Sequence, residues 1–455
     1  MTGSGTALDP YVIWDVNDLQ DMGNGAPYAL DAHYRLGQDI DASVTVGWNG
    51  GQGFIPRGTS GFPFTGRFNG QFFRISNLHI NRPADTHQAL FGRLSAAIVE
   101  NVFIMDATVT GSQYVAICAG SFSNNTIVRR VTTSGVVSAS HNNSHVGGLL
   151  GSSTAGSNTV YRCVSFASVT GRWYTGGLLG WPAAPLLHTI TISQCYATGN
   201  VNGLMGACGG LIGQTQRCTI SDCFARGNVT GGTTGGLIGI TWEGDSVTNC
   251  YSTGNPNGGG GLIGQRFGAP MPVINSFWDV NTSGTGWSAG GTGLTTAQMK
   301  TKTTFTGVGW DFVTIWDIDD VYAYWNDGYP FFLWNPIPTI VVTSPNGGEV
   351  WYAGDTHTIF WHHTEDPGAN VVIDLLLVGV LDEVIVASTP IGPPGGGTYS
   401  WTIDSGKAQD VQYRVRVTST TAPFTDSSDS DFTIKRRPTP PPEPTVITLP
   451  ATGVG

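Results

Sequence analysis

The 455-residue chain has few charged residues, no long apolar run and no cysteine outside one stretch. Charged residues make up 12% of the chain and the formal net charge is −11, which excludes the clustered basic surface typical of nucleic-acid binding. No run reaches the ~18 apolar residues that a membrane span needs. The first ten residues, MTGSGTALDP, lack the basic and apolar segments of a secretion signal. We therefore expect that a signal was removed, or that the protein leaves the cell by another route, for example inside a virion.

Glycine is abundant, with 65 residues, and much of it falls in a recurring pentapeptide. The pentapeptide is Gly-Gly-Leu-Leu/Ile-Gly, and its copies begin at Gly147, Gly176, Gly209, Gly235 and Gly260. Incomplete copies of the motif end at Gly92 and Gly120. Subtraction of the positions of successive closing glycines gives spacings of 28, 31, 29, 33, 26 and 25 residues. A period of this size is typical of a stacked repeat.

A second phrase lies between the glycine motifs and places an apolar residue three positions before a cysteine. It occurs as Val160/Cys163, Ile192/Cys195, Ile220/Cys223 and Val247/Cys250. Neither phrase has a helical period, so both predict short strands. Strands of this length bury an apolar face only when successive repeats stack, which predicts an all-β fold, a parallel β-solenoid of roughly seven to ten coils. We expect the glycines to form tight corners with positive φ.

The same residues carry a family resemblance. Gly-Gly-Leu-Ile-Gly combined with CYATGNV at 195–201, CFARGNV at 223–229 and NCYSTGN at 249–255 resembles the GLUG repeat of bacterial surface and secreted proteins. The resemblance covers about residues 90–265. It implies a solenoid outside the cell, often within adhesin-like or protease-associated proteins, and it implies no reaction because the repeat is a scaffold.

All seven cysteines lie in the repeat array, at positions 118, 163, 195, 208, 218, 223 and 250. Disulfides, a metal ladder or buried thiols all fit this pattern. We favour buried thiols, since stacked coils direct their Cβ atoms in parallel, which suits a disulfide poorly, and the odd count leaves at least one cysteine unpaired.

The array, assigned to residues 63–270, has a predicted cap at each end. Residues 1–62 contain a short helix candidate at Asp18–Met22 and a strand at 33–41, and they resemble the capping region that precedes such arrays. The first regular coil is predicted at Phe64–Ile80. Asp39 and Asp41 suit a cation site, but we favour a turn-capping role.

Residues 271–335 are predicted to form a C-terminal cap. A short helix is expected there with Thr295 or Thr296 as its N-cap, followed by an aromatic group that includes Trp310 and Trp316 and that we expect to plug the solenoid. Asp317, Asp319 and Asp320 form an acidic cluster without the glycine and distal glutamate of a calcium loop, so we expect no metal.

Residues 336–434 predict a small β-sandwich. Val411, Tyr413, Val415 and Val417 alternate with polar residues, as expected for strands with one buried face. The segments 344–351, 359–361, 401–403 and 430–434 resemble the immunoglobulin-like domain of the Ser/Thr-rich GPI-anchored and yeast cell-wall-synthesis family. The domain lacks cysteine, so we expect tryptophan packing to replace an inter-sheet disulfide. His357, His362 and His363 invite a metal interpretation that we disfavour, because adjacent strand residues point to opposite faces.

Residues 435–455 form a proline-rich tail, which is predicted to be extended. The tail contains Leu449, Pro450, Ala451, Thr452 and Gly453, which resemble the sortase signal LPxTG. That family pattern continues with an apolar span and a basic tail, whereas here only Val454 and Gly455 follow. Truncation and an accidental match both remain open.

Three functions fit this organisation. The first is a non-enzymatic protein of the bacterial cell surface, an adhesin-like binding or structural module for an extracellular glycan or protein, with the cell wall as a further partner. The second is a phage virion fibre, spike or decoration protein. The third is a polysaccharide-degrading β-helix enzyme, which needs paired carboxylates on adjacent coils.

The acidic residues argue against the enzyme. Residues 101–290 contain only the acids Asp106, Asp222, Glu243, Asp245 and Asp279. Glu243 and Asp245 are the one close pair of these acids, and the zinc-protease and P-loop motifs are missing from the sequence. We therefore expect no catalysis, no cofactor and no metal.

Four aromatic residues are the candidate ligand-binding residues. Trp173, Tyr174, Trp181 and Trp242 lie in predicted side loops, where they are suited to stacking on sugar rings. Packing against neighbouring loops is an equally good explanation of these four residues.

Overall fold

The computed structural model describes residues 1–153, 155–269, 271–318, 325–334, 339–364, 369–392, 396–420 and 424–437. The chain divides into two compact units, Met1–Asp320 and Val321–Gly455. The predicted sortase-like motif at 449–453 and the acidic residues Asp319 and Asp320 lie outside the described residues.

The first unit is a parallel β-solenoid, as the repeats predict. Each repeat is one coil, and each residue of a strand pairs with its equivalent one repeat later. Val160 pairs with Ile192, Ile192 with Ile220, and Ile220 with Val247. One ladder of this unit has seven strands, which agrees with about seven turns.

A full coil passes through five strand positions, which stack into five ladders. The first ladder contains Tyr11–Ile13, His33–Leu36, Arg67–Asn69, Asn158–Tyr161, Ile190–Ser193, Cys218–Ser221, Ser246–Thr248 and Val273–Ile274. The second contains Ile40–Asp41, Arg74–Ser76, Val164–Ser165, Tyr196–Ala197, Phe224–Ala225, Tyr251–Ser252, Phe277–Asp279 and Thr292–Leu294. The third contains His79–Asn81, Ser168–Gly171, Val201–Gly203 and Val229–Thr230. Two long strands, Ile98–Gly111 and Ile127–Ala139, pass through all three of these ladders.

The fourth and fifth ladders flank the glycine motif. The fourth contains His145–Gly147, Tyr174–Gly176, Ala207–Gly209 and Thr233–Gly235. The fifth contains Phe91–Ser95, Ala119–Ser123, Leu150–Ser153, Leu179–Pro182, Ile212–Gln214, Ile238–Thr241 and Ile263–Arg266. The motif itself is the corner that leads from one ladder to the other.

The core of the solenoid consists of stacked, identical or similar side chains. Leu178, Leu211 and Leu237 of successive motifs are fully buried, and the backbone N–H of Leu178 donates to the carbonyl of Leu211 at 2.8 Å. Each coil therefore contributes the same apolar residues to a continuous core, which a single repeat is too small to form.

The parallel ladder starts earlier than we expected. Tyr11 already pairs with Tyr34, and Tyr34 pairs with Phe68, so strands upstream of residue 64 are coils of the solenoid. The predicted helix is present as Val16–Asp21, and the Asp15 side chain accepts from the N–H groups of Asn17 and Asp18. A 3-10 segment follows at Ser43–Gly51.

Trp310 and Trp316 pack on the side of the first unit and do not plug its end, whereas Trp278 is part of the solenoid core. Tyr196, Phe224 and Tyr251 of successive coils stack outside the core, with ring centroids 4.5 and 4.9 Å apart. Trp316 lies against this stack, and its indole N–H donates to the Asp222 carboxylate at 3.1 Å. Ala289 and Val280 pack against the last part of the core instead.

Short helices and one further strand complete the first unit. They are Val280–Ser283, Thr296–Met299, Lys302–Thr306 and the strand Trp316–Asp317. Thr295 caps the second of these helices in a capping box with Gln298, which confirms the predicted N-cap.

The second unit contains two sheets that share one core, and most of their strand pairs are antiparallel. The three-stranded sheet consists of Thr339–Ser344, Thr356–Thr364 and Gly397–Thr402. The six-stranded sheet consists of Val350–Tyr352, Asn370–Leu377, Val380–Pro390, Asp410–Ser419, Thr425–Ser427 and Phe432–Lys435. The 3-10 turn Trp325–Gly328 and the strand Phe331–Phe332 also belong to this unit.

Tryptophan packing joins the two sheets, as the sequence predicts. Trp351, Trp361 and Trp401 come from both sheets and are buried in the shared core. The predicted burial is wrong at one residue of this alternation: Val411 is 63% exposed, whereas Tyr413 is buried. A register shift between Asp410 and Tyr413 interrupts the alternation at that point.

Candidate functional site

The glycine motif forms a corner in which backbones approach too closely for any side chain. A Cβ atom at Gly176 would lie 2.0 Å from the carbonyl oxygen of Leu179, and one at Gly180 would lie 2.5 Å from the backbone nitrogen of Val146. These motif glycines do not have positive φ, so our expectation of left-handed corners was wrong. Close backbone approach is the reason for glycine here. Positive φ is found instead at the residue before each cysteine of the repeated apolar–Cys sequence, such as Gln194 and Asn249.

A row of aromatic side chains runs along the fourth ladder and the loops that extend it. The row consists of His87, Tyr114, His145 and Tyr174, with ring centroids 4.6, 4.8 and 5.0 Å apart in that order. His145 precedes the core residue Val146 and therefore points away from the core. The coil repeat thus places one aromatic ring above the next on the outside of the solenoid.

A second row lies beside the first on the fifth ladder. Register places Arg93 beside Ser121, Ser121 beside Ser152, and Ser152 beside Trp181. The two rows touch: His145 Nδ1 lies 3.1 Å from Ser152 Oγ, and the Trp181 ring lies 4.8 Å from that of Tyr174. Side chains that point outward from two neighbouring strands contact each other only where the surface between the strands is concave. We call this concave feature, lined by both rows, the aromatic groove.

The groove offers ring faces, polar atoms and one cation. Burial lowers the pKa of His145 to about 4, and burial together with the Arg93 charge lowers the pKa of His87 to about 4. Both imidazoles are therefore neutral near pH 7. His145 Nε2 and Trp181 Nε1 have no hydrogen-bond partner among the described residues. Buried polar atoms usually have partners, so two unpartnered polar atoms side by side are unusual.

Three of the four predicted ligand-binding residues lie together, and the fourth does not. Tyr174 and Trp181 line the groove, and Trp173, which is 36% exposed, lies at its edge with its ring 6.2 Å from that of Tyr174. Trp242 follows a fifth-ladder strand two coils further along and stacks on Phe267 at 4.9 Å. The sequence-based prediction thus grouped residues from two separate places.

The prediction also missed part of the groove. Tyr114, His145 and Tyr174 each lie six residues before the closing glycine of their motif copy, at Gly120, Gly151 and Gly180. An aromatic residue at this fixed offset is a signal that the sequence contains. Arg93, Ser121, Ser152 and Trp181 also lie at a fixed offset, directly after the closing glycine of each copy, but their different residue types give no common chemical signal.

The close acidic pair of residues 101–290 is part of the scaffold. Asp245 is 3% exposed and accepts hydrogen bonds from Thr215 Oγ1 at 2.6 Å, from the Cys218 N–H at 2.8 Å and from the Trp242 N–H at 2.9 Å. Burial raises the pKa of Asp245 to about 6. Glu243 is exposed and pairs with Arg217 at 3.0 Å. Both carboxylates thus organise the loop that joins neighbouring coils.

The cysteines are buried thiols, as favoured above. All seven are free and buried. Those of the repeated phrase donate to the carbonyl two residues earlier, as Cys223 does to Ser221 at 3.1 Å. Burial raises the pKa of Cys118 to about 12 and that of Cys208 to about 11, so these thiols remain protonated and unreactive.

The other residues considered for metal binding have structural partners. Asp39 accepts from the Arg74 N–H at 2.8 Å, and Asp41 accepts from the Ser43 N–H at 2.9 Å. His362 is exposed and His363 is buried, so the two point to opposite faces as predicted. Within the described ranges no three His, Cys, Asp or Glu side chains are grouped as metal ligands would be.

Comparison with known proteins relates the chain to surface-type proteins. It is 32% identical over 326 residues to halomucin of Haloquadratum walsbyi, a match that covers 69% of this chain and 3% of halomucin. It is 42% identical over 108 residues to a Gly-rich membrane protein of Evansella cellulosilytica, covering 22% of this chain and 12% of that protein. It is 27% identical over 255 residues to an immunoglobulin A1 protease of Streptococcus sanguinis, covering 56% of this chain and 12% of the protease.

These relatives are surface or secreted proteins, and the chain spans only a small part of their length. No family model matches the sequence, and no solved structure gives a significant match. In the part of the chain that the structure describes, no helix is long and apolar enough to cross a membrane.

Proposed function

We propose that the chain is a non-enzymatic extracellular surface protein, and that its solenoid binds a polysaccharide along the aromatic groove. In this proposal the solenoid repeats are of the GLUG type and act as an adhesin-like module. The sandwich is an immunoglobulin-like spacer, and the LPATG segment at 449–453 is a sortase signal for attachment to the bacterial cell wall.

The groove is the observation that carries the proposal. Ligand sites in proteins are concave and mostly apolar, with a few polar atoms that fix orientation. The groove combines the ring faces of Tyr114, Tyr174 and Trp181 with the unpartnered Trp181 N–H and His145 Nε2. Aromatic rings suit the flat apolar faces of sugar rings, while the polar atoms suit their hydroxyl groups. Surface-type relatives support an extracellular location for such a site.

The absence of catalysis is proposed from the chemistry of the same groove. Glycoside hydrolysis uses two carboxyl groups on opposite sides of the scissile bond. Neither row of the groove contains an acidic residue, and the one close acidic pair, Glu243 and Asp245, is used for loop structure. Weak contacts repeated over several coils suit binding strengthened by multivalency.

The test replaces two groove residues by the residues found at the equivalent positions of the next coil. Tyr174→Ala combined with Trp181→Gln gives this coil the residues of the next coil, Ala207 and Gln214. In pull-down and calorimetric assays with a panel of neutral and acidic polysaccharides, we expect the wild-type chain to bind at least one polymer and the double variant to bind it at least tenfold more weakly.

Trp242→Ala is the matched control, since Trp242 lies outside the groove, and it should bind like wild type. Incubation with the same panel should release no new reducing or unsaturated ends. Equal binding by the double variant with an unchanged melting temperature would contradict the site, and release of ends that disappears in Glu243→Gln/Asp245→Asn would contradict the non-enzymatic assignment.

A further inference from the structure

Arg93 gives one end of the aromatic groove a positive charge. It lies on the fifth ladder beside Ser121, in the row that continues to Trp181, and its side chain is half-buried. Arg93 is close enough to His87 for its charge to act on that ring. Its position is fixed by the same register that aligns the groove, so its charge is directed to the ligand side.

Some arginines of the solenoid have carboxylate partners, and Arg93 does not. Arg67 and Arg129 both pair with Glu100, and Arg217 pairs with Glu243 at 3.0 Å. Among the described residues, no carboxylate lies within ion-pair distance of Arg93. The chain has a formal net charge of −11, and the Arg93 guanidinium adds a positive charge to the groove that no described carboxylate neutralises.

The remaining groups of the groove do not neutralise this charge. His87 and His145 are uncharged near pH 7, and both rows otherwise consist of Ser, Tyr and Trp side chains. The groove therefore carries one positive charge at the coil of Arg93. Trp181 lies three coils further along, which corresponds to about 14 Å at the interstrand spacing.

We infer that the ligand of the groove is an acidic polysaccharide, with a carboxylate of one sugar on Arg93 and other sugar rings on Tyr174 and Trp181. This inference rests on the proposed function and adds the ligand class to it. The planar guanidinium matches a carboxylate with two parallel hydrogen bonds, and the aromatic rings hold the chain along the solenoid axis. Arg93 is thus assigned as the residue that sets specificity for acidic over neutral chains.

The experiment compares polymers that differ only in charge. Polygalacturonate, alginate and hyaluronan are each paired with their carboxyl-reduced forms, and binding is measured by calorimetry with the full chain at two salt concentrations. We expect at least one acidic polymer to bind roughly tenfold more tightly than its reduced form, as a charge-assisted hydrogen bond would produce. The preference should weaken at high salt.

Arg93→Gln should remove this preference, so that the variant binds the acidic polymer and its reduced form with similar affinity. The control Arg74→Gln changes an arginine that lies over the Phe103 ring in the second ladder, and it should behave like wild type. Equal binding of acidic and reduced forms, or a preference that persists in Arg93→Gln, would overturn the inference while the proposed function stands. Failure of every acidic and reduced polymer to bind would overturn both.

Discussion

Residues 87–182 and residues 207–266 are built on the same coil, yet their outer surfaces differ. The closing glycine and a buried apolar residue two positions before it recur in both stretches, as Leu178 and Leu237 show. On the outside, the position of Tyr174 becomes Ala207 and then Thr233. The groove is therefore confined to the earlier coils. The comparison teaches that inward positions define the solenoid and outward positions define what it binds.

The strongest way to break the shared scaffold is to place a charge in the core. Leu211 is fully buried between its equivalents in the neighbouring coils, so Leu211→Asp would bury an unpaired carboxylate. We expect a loss of several kcal/mol in the free energy of unfolding. Denaturant unfolding would measure it. Leu204→Asp is the matched control because Leu204 is 58% exposed, and an equal loss in both variants would contradict the placement.

Acidity should stabilise the later coils specifically. The pKa of Asp245 is raised to about 6 by burial, above its ordinary value, so the folded state binds a proton more tightly than the unfolded state does. Stability from this group is present below about pH 4 and is lost as the pH rises through 6, by roughly 2–3 kcal/mol in total. His87 and His145, whose pKa values are lowered by burial, contribute with the opposite sign over this range. The difference in unfolding free energy between wild type and Asp245→Asn, measured from pH 4 to pH 7.5, cancels their contribution and should fall as the pH rises.

The corner glycines allow a smaller perturbation. A Cβ atom at Gly210 would lie 2.1 Å from the carbonyl oxygen of Gly236 in the next coil, so Gly210→Ala forces neighbouring coils apart. We expect a cost of roughly 1–3 kcal/mol, the usual range for overpacking. Gly286→Ala serves as the control, since no atom lies within 4 Å of a Cβ there. Thermal melts of the two variants that coincide would argue against close approach as the reason for glycine.

The smallest effect is expected at the aromatic pair of the later coils. Trp242 and Phe267 stack at 4.9 Å on the surface, outside the groove. Trp242→Ala should cost about 0.5–1.5 kcal/mol, as for other aromatic pairs. The affinity of Trp242→Ala for any polysaccharide that wild type binds should stay within about twofold of the wild-type affinity, which is well below a tenfold change. A larger loss of affinity would move the binding site to the later coils.

The sequence predicted the solenoid because its inward residues repeat. Leu211 recurs at a fixed place in each motif, and stacking is the one arrangement that buries all copies together. The role of the glycines was predicted for the wrong reason, since a sequence does not distinguish positive φ from a close backbone approach. Only the coil register shows that Gly210 faces the backbone of Gly236.

The groove was predicted in part, because its residues differ in type from coil to coil although most of their places in the repeat are fixed. Tyr174 and Trp181 are close in sequence and were recognised together. His87 and Arg93 belong to an incomplete copy of the motif. Their alignment with Tyr114 and Ser121 depends on pairing between two coils whose closing glycines are 28 residues apart. Apart from His87, the positions of both outer rows are fixed relative to the closing glycines, but the sequence does not show that the two rows contact each other; that contact is seen only in the structure.

Hydrogen–deuterium exchange of the full chain most directly tests whether the earlier coils alone hold the ligand. The chain is measured with and without the polysaccharide of the panel that binds it most tightly. We predict slower exchange in peptides covering residues 112–122, 143–153 and 172–182, where the groove lies, and unchanged exchange at 205–215 and 231–241, where the same scaffold lacks it. Slower exchange confined to the later coils or to residues 339–434 would contradict the account.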